Sequence, residues 1–374
     1  VIHKIILKIE LYLKQCMLLK MNVKHVGSGG NINIDTSKDS KKVQKILVVG
    51  DLHFHEGDLI LPQLFISKIR KLLNSGSYNC VVLLGDIFHR FKTVDQPALA
   101  SVTELFDTIT NFCPLFVLVG NHDYINGSQF LTKNHTLQPF DKWSNVKVID
   151  TPTKIKMPNC RLLLVPYVPK GRFLEALEDV SGWEKIDMIF AHQEFAGCQM
   201  GGHFSLDGDC WSDKFPPIIS GHSHTKHKVG TNIFYIGMPY DLGYGDTQNK
   251  YVAELIFDSD TYKINYIDTE LPRKRLVRLP IKEAREWVPE GNDFYKLKVL
   301  CTQEEYTSFS NSNHAKQLRM AGVKILRVSE DNKRVEEFLT NKKKQVEGYE
   351  TYTDIFHSLL EKEGLSNLSK QIFS

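Results

Sequence analysis

Seven short apolar runs punctuate the middle of this chain, and five of them stop on residues that do not belong in a core. The runs are ILVVG (46–50), CVVLLG (80–85), LFVLVG (115–120), RLLLVP (161–166), DMIFAH (187–192), PIISGH (217–222) and IFYIG (233–237). Runs of four to six residues, rich in β-branched side chains, predict strands buried on both faces. Between the early runs, LPQLFISKIRKLLNSG (61–76) and ALASVTELFDTITNF (98–112) carry apolar residues at helical spacing. Strands alternating with helices predict an α/β layered domain. Further on, YVAELIF (251–257) and YKINYID (262–268) flank a hairpin turn.

The texture changes after Leu271. PRKRLVRLP (272–280) reads as a basic bridge, FYKLKVLC (294–301) and VKILRV (323–328) as strands, and EEYTSFSNSNHAKQLRMAG (304–322) as a turn and helix. The expected organisation is a basic leader and linker over 1–45, a main domain over 46–271, a small α/β unit over 272–335 and a helical tail over 336–374.

The run ends carry the chemistry. VVGDLH delivers Asp51 and His53, LLGDIFH delivers Asp86 and His89, and LVGNHD delivers Asn121, His122 and Asp123. IFAH delivers His192, and ISGHSH delivers His222 and His224. The C-terminal edge of an open α/β sheet is where ligands bind. One polar residue at a strand end is ordinarily a cap or a surface group, but five in succession are not explained that way. His222 and His224 alternate along an extended segment and so point the same way. Gly221 lets the backbone turn sharply or lie close to what is bound. Asp, Asn and His without Cys suit Mn²⁺, Fe²⁺ or Zn²⁺ better than soft metals, and the set is too rich in nitrogen for Ca²⁺. The ligands are too many for one octahedral ion that keeps positions open for substrate. Two ions sharing a bridging carboxylate use them all, and such pairs serve in-line phosphoryl displacement.

The formal net charge is +3, but residues 1–45 hold nine lysines against three acids, so the rest of the chain is net negative. Bulk charge therefore does not point to nucleic acid; a local patch is needed. Seven scattered cysteines, odd in number and never in a C-x-x-C pair, argue against a disulfide framework and for an intracellular, reducing compartment, cytoplasm or nucleus. No run approaches the ~18 apolar residues of a membrane span. The leader VIHKIILKIELYLKQCMLLKMN is apolar but broken by charges. It lacks the pattern of a signal peptide. It reads either as an amphipathic helix for a membrane surface or partner or, preferred here, as sequence preceding a start at Met17 or Met21.

The ordered set Asp-x-His, Gly-Asp, Gly-Asn-His-Asp, His and Gly-His-x-His, spread over 46–224, resembles the signature of calcineurin-like metallophosphoesterases. The resemblance implies an α/β fold, a two-sheet sandwich flanked by helices (αββα), followed here by the small C-terminal α/β unit. It implies one ion held by Asp51, His53, Asp86 and His224, and a second held by Asp86, Asn121, His192 and His222. His122 would stabilise the transition state and protonate the leaving oxygen, with Asp123 orienting it or serving as a turn residue. The implied reaction is phosphodiester hydrolysis by in-line attack of a hydroxide shared between the ions. Mn²⁺ is the expected metal, with Fe²⁺, Zn²⁺ or Mg²⁺ as alternatives.

Within that family, GDIFH, HQEF and YIGMPYDLGYGD (235–246) resemble the Mre11/SbcD branch of DNA-repair nucleases. This implies that His89 positions the substrate backbone and that DNA is the substrate. It further implies a Rad50/SbcC-type, SMC-like ATPase as partner, docked through the C-terminal helical region (TDIFHSLLEKEGL), and a possible homodimer. Arg273, Lys274, Arg275 and Arg278 are candidate phosphate contacts, against a plain reading as a solvated linker. A metallophosphatase or small-phosphodiester hydrolase is the alternative, and a scaffold without activity a third reading. The chain departs from the branch at His55, at GMP in place of GSP, and in a Gly-rich insert, GCQMGGHFSLDGDCW (197–211). His55 and His203 are expected to be surface histidines, and the insert to shape the substrate mouth.

Overall fold

The apolar runs assemble into two large sheets whose inner faces meet. A computed structural model describes residues 32–33, 43–246, 248–258 and 261–329. The leader, apart from its last residues and the pair 32–33, and the tail 336–374, where a partner helix was expected, lie outside the described residues.

The first sheet has six strands in the order Thr261–Asp268, Tyr251–Asp258, Gln44–Val49, Cys80–Leu83, Leu115–Leu118, Val146–Ile149. The last four run parallel, and the hairpin 251–268 adds antiparallel at the edge. The second sheet has seven strands, ordered Ile32–Asn33, Thr153–Met157, Cys160–Val165, Met188–His192, Ile218–Gly221, Ile233–Tyr235, His227–Val229. Alternation sorts each strand between two layers. Ile46, Val48, Val82 and Leu118 face Leu162, Leu164, Phe190 and Ile219 in the core between the sheets. Leu47, Val49, Val81 and Leu83 point the other way and are equally buried.

Helices Ile60–Ser75 and Gln96–Thr110 connect the parallel strands of the first sheet and bury an apolar stripe that includes Phe65, Ile69, Val102 and Phe106. The second helix starts where Asp95 accepts from the Ala98 N–H (2.8 Å), with Pro97 in the first turn, a favoured start signal. The outer face of the second sheet differs. Among the described residues, 3-10 turns at Glu175–Leu177 and Trp183–Lys185 and a loop through Phe195 cover Val165, Ile189 and Ile218, where longer helices were expected.

A second unit takes in Gly243–Gly245 and the described residues from Lys274 onward. Its sheet orders Lys274–Pro280, Phe294–Leu300, Lys324–Val328, all parallel. The stretch expected as a basic bridge is thus an edge strand. Its cations mask the alternation: Val277 and Leu279 pack on the unit's core while Arg275 is exposed. The expected turn and helix are two helices, Gln303–Ser310 and Asn313–Met320, the first opened by a capping box of Thr302 and Glu305.

Arg273 ends the first unit, and its guanidinium grips the fully buried Asp241 through two contacts of 2.7 and 3.0 Å. Lys250 Nζ, 3.5 Å from the same carboxylate, is a second cation there, so removing Arg273 takes away the closer of two compensating charges from a buried group. Arg273→Ala is therefore expected to cost about 3 kcal/mol of stability in urea unfolding, with Arg273→Lys recovering little because it lacks the fork.

Candidate metal centre

Strand ends from both sheets meet at one edge of the sandwich. The loops after Gln44–Val49 and Cys80–Leu83 are zipped together by backbone: the Leu52 and His53 N–H groups both donate to the Asp86 carbonyl, and Phe54 N–H to that of Ile87. Three residues there hold left-handed backbone, His53 at φ 47°, Asp86 at 48° and His222 at 78°. For side chains other than Gly this costs on the order of 1–3 kcal/mol each and marks functional sites. Gly221 has no unusual φ; what it provides is room, since a Cβ there would stand 2.6 Å from Asp51 Oδ1 and 3.0 Å from His192 Nδ1. At Gly120 a Cβ would collide with the backbone nitrogen and Oδ1 of Asp86.

Three overlapping groups of ligand-type atoms result, Asp51–His53–His224, His53–Asp86–His122 and Asp86–His192–His222, each with its atoms within 4.8 Å of one another, and the first and last share no residue. Asp86 touches both, with Oδ2 3.6 Å from His53 Nε2 and Oδ1 3.4 Å from His192 Nε2. Contacts at the back of the His192 and His222 rings fix which of their nitrogens faces inward. His192 Nδ1–H donates to the Leu84 carbonyl (2.8 Å), which leaves Nε2 as a bare acceptor. That Nε2 stands 3.0 Å from Asn121 Oδ1 and 3.2 Å from His222 Nδ1. His222 Nε2 lies 3.5 Å from Glu194 Oε2, so its Nδ1 is the inward atom, 2.9 Å from Asn121 Oδ1. In the other group His53 Nε2 and His224 Nε2 are 3.0 Å apart, and Asp51 Oδ2 is buried with no hydrogen bond. Acceptors crowded together without donors repel, and burying them unpaired is costly. A divalent cation in each of these two groups removes both penalties, so the residues fit a two-metal centre.

The electrostatics agree. Burial, and then the neighbouring Asp86 charge, push the Asp51 carboxyl well above the usual range. Burial also opposes ionisation of Asp86, but the His192, His53 and His122 rings outweigh it and hold its carboxyl low. Burial pushes His53 and His192 down, and His224 down to about 4. Neutral imidazoles are the form that binds metal.

His122, His89 and Asp123 adjoin this set. His122 N–H donates to Asp86 Oδ1 (2.8 Å), and its ring Nδ1–H donates to the His89 carbonyl (2.6 Å). Its orienting contact is thus a backbone carbonyl rather than Asp123. The Asp123 carboxylate accepts from Ile87 and Phe88 N–H on one oxygen and Gly120 N–H on the other, clamping two ligand loops together. The His89 ring lies 6.0 Å from His122 and 5.0 Å from His55. Among the basic candidates, Arg273 grips Asp241, Arg275 pairs with Asp293 (2.8 Å), and Lys274 is buried near the Tyr244 ring, whereas Arg278 is exposed.

Three contributors had no assigned role in the sequence reading. Phe91 stacks on His122 at 4.3 Å. Glu194, two residues past His192, sits behind His222 and also binds Lys170 Nζ (2.8 Å) and the Ser205 hydroxyl (2.6 Å). These partners, the His222 contact foremost, hold its carboxyl down at about 2. Ser205 belongs to the insert, which folds as a two-stranded hairpin, Gln199–Met200 with His203–Phe204. The HQEF motif could have pointed to Glu194; nothing in the sequence pointed to Ser205.

The family profile of calcineurin-like phosphoesterases matches residues 44–254, more than half of the chain and nearly all of the edge just described. The chain belongs to the calcineurin-like phosphoesterase family. It is similar to "Putative phosphoesterase 244L" of Invertebrate iridescent virus 6, 34% identical over 72% of this chain and 98% of the viral protein. "Putative phosphoesterase 078R" of Invertebrate iridescent virus 3 is 30% identical over 78% of this chain and 86% of that protein. "Exonuclease subunit 1" of Enterobacteria phage T4 is 26% identical over 68% of this chain and 75% of that protein. No helix among the described residues of this phosphoesterase is long and apolar enough to cross a membrane.

A carboxylate behind a ligand histidine sets its tautomer and basicity, and its loss typically weakens metal affinity 10–100-fold. Glu194→Ala is expected to weaken one of two Mn²⁺ binding events by about that factor in calorimetric titration, with the other little changed. Glu194→Gln, which keeps an acceptor oxygen, should recover part of the loss.

Proposed function

We propose that this phosphoesterase cleaves phosphodiester bonds in DNA with two divalent ions, Mn²⁺ foremost, as an exo- or endonuclease of the Mre11/SbcD type. The observation that carries the chemistry is Asp86, one oxygen turned to each of two groups of inward-facing acceptors. On this reading Asp51, His53, Asp86 and His224 hold one ion, and Asp86, Asn121, His192 and His222 the other. When bound, two such ions act as Lewis acids on a phosphoryl group and acidify the attacking water.

The protein's own groups supply the rest. The bond from His122 Nδ1–H to the His89 carbonyl leaves Nε2 as the nitrogen that faces the leaving oxygen, and in the imidazolium form, with both nitrogens protonated, it gives that oxygen a proton. Stacking on Phe91 holds the ring in place. His89 borders this ring, and on this reading it contacts a substrate phosphate. Asp123 acts at one remove, by fixing the two loops that carry Asp86 and Asn121. The choice of DNA is supported by the similarity to the phage exonuclease subunit over three quarters of that protein's length. An SMC-like ATPase partner, a homodimer and an intracellular setting belong to the same proposal.

The test compares hydrolysis of bis-p-nitrophenyl phosphate with cleavage of labelled single- and double-stranded DNA in Mn²⁺. Wild type is expected to cleave both kinds of substrate and His224→Ala neither. His122→Ala should lose about 10²–10⁴-fold, the usual contribution of a positioned acid. Turnover of the small ester with DNA left intact would replace the nuclease with a small-phosphodiester hydrolase.

A further inference from the structure

His222 and His224 belong to the two ligand groups that share no residue, so the backbone between them serves both. That backbone is strained. His222 holds φ at 78°, and a residue so placed persists only where its surroundings over-determine it. Two of the restraints come from the sandwich: His222 N–H donates to Asp51 Oδ1 (3.1 Å), and the His224 carbonyl accepts from Met238 N–H (3.2 Å). A third comes from the 197–211 insert. Ser223, only 1% exposed, donates its hydroxyl to the Gln199 carbonyl at 2.6 Å. The N–H of the same Gln199 donates to His227 Nε2 (2.9 Å). The His227 ring is set for that contact. Its Nδ1–H donates to the Thr225 carbonyl (2.8 Å), which leaves Nε2 as the acceptor, and it lies flat on Tyr235 at 4.6 Å. The ligand loop thus holds one residue of the insert by both of its backbone groups.

The insert depends on this hold. Its hairpin pairs only Gln199–Met200 with His203–Phe204, and a two-stranded hairpin is marginal by itself. Ser205 anchors the second strand to Glu194 and Asp209 anchors the base to Gln193; Gln199 is where the first strand meets the ligand loop. Glu194 touches one ligand ring, that of His222. The Ser223 hydroxyl instead restrains the backbone that places two rings, one for each ion. We infer that Ser223 is a positioning residue for both metal sites, and that through Gln199 it couples loading of the ions to ordering of the insert. The inference rests on the two-metal reading above. Such a coupling is reciprocal: an insert fastened at Gln199 keeps His222 and His224 in ligating position, and a loop fixed by bound metal keeps Gln199 in place.

The experiment uses the full chain as wild type, Ser223→Ala, Ser223→Thr and His227→Phe. Calorimetric titration reads Mn²⁺ affinity, and hydrogen–deuterium exchange by mass spectrometry, with Mn²⁺ and with chelator, reads the amides of 197–205. Wild type is expected to bind two ions and to gain protection over 197–205 when loaded. Ser223→Ala should weaken both binding events about tenfold, as loss of a group that supports metal ligands does, and should lose the gain in protection. Ser223→Thr keeps the hydroxyl and should recover both. His227→Phe keeps a ring against Tyr235 but offers Gln199 N–H no acceptor; it should lose the gain in protection with a smaller drop in affinity. Unchanged Mn²⁺ affinity in Ser223→Ala, with only a lower urea midpoint, would overturn the inference in favour of a purely structural serine. Weakening of one event alone would overturn it by reducing Ser223 to the support of a single ligand. Wild-type exchange over 197–205 that does not respond to Mn²⁺ would overturn the coupling. A wild type that binds fewer than two ions would remove the two-metal reading itself, and the inference with it.

Discussion

Everything at the working edge follows from one electrostatic constraint. Around Asn121 an amide oxygen and two imidazole nitrogens, all acceptors, are packed to within about hydrogen-bond distance of one another with no donor between them, and nearby Asp51 Oδ2 is buried with no hydrogen bond. Water could satisfy such atoms in the unfolded chain; in the folded one only positive charge does. The backbone shows the cost of assembling them. His53, Asp86 and His222 sit in left-handed conformations, and Gly120 and Gly221 are side-chain-free because the ligands fill the space. The clamp by Asp123, the back-side bonds from His192 to Leu84 and from His122 to His89, and the crossed backbone at Asp86 keep that strained arrangement from relaxing.

Much of this was legible in the sequence because both signals are local. Strands buried on two faces are written as unbroken apolar runs, so Cys80–Leu83, Leu115–Leu118 and Met188–His192 could be placed to within a residue or two. Polar residues that close such runs fall on the ligand edge, which is why Asp51, Asp86, Asn121, His192 and His222 were found together. What stayed hidden depends on contacts between segments. Glu194 looks like any strand-end acid until His222 is seen in front of it, and Ser205 like any loop serine until its hydroxyl meets Glu194. The edge strand Lys274–Pro280 was read as a linker because its cations obscured Val277 and Leu279. Strands Val146–Ile149 and Thr153–Met157 escaped notice because lysines interrupt them and no chemical residue closes them.

The support around the two groups is uneven. Behind the Asp51–His53–His224 group stand mostly backbone and packing, such as the Tyr240 hydroxyl on the Leu52 carbonyl. Behind the Asp86–His192–His222 group stands a polar chain that runs outward through Glu194 to Ser205, Lys170 and Asp209. An insertion that departs from the nuclease branch is thereby attached to one half of the centre.

The shared carboxylate is the point on which the two-metal reading stands or falls. The direct measurement is the number of Mn²⁺ ions bound per chain at saturation, by elemental analysis after dialysis, for wild type and Asp86→Ala. Two ions in the wild type and one or none in the variant are expected. A single ion in the wild type, or two retained after Asp86→Ala, would contradict it.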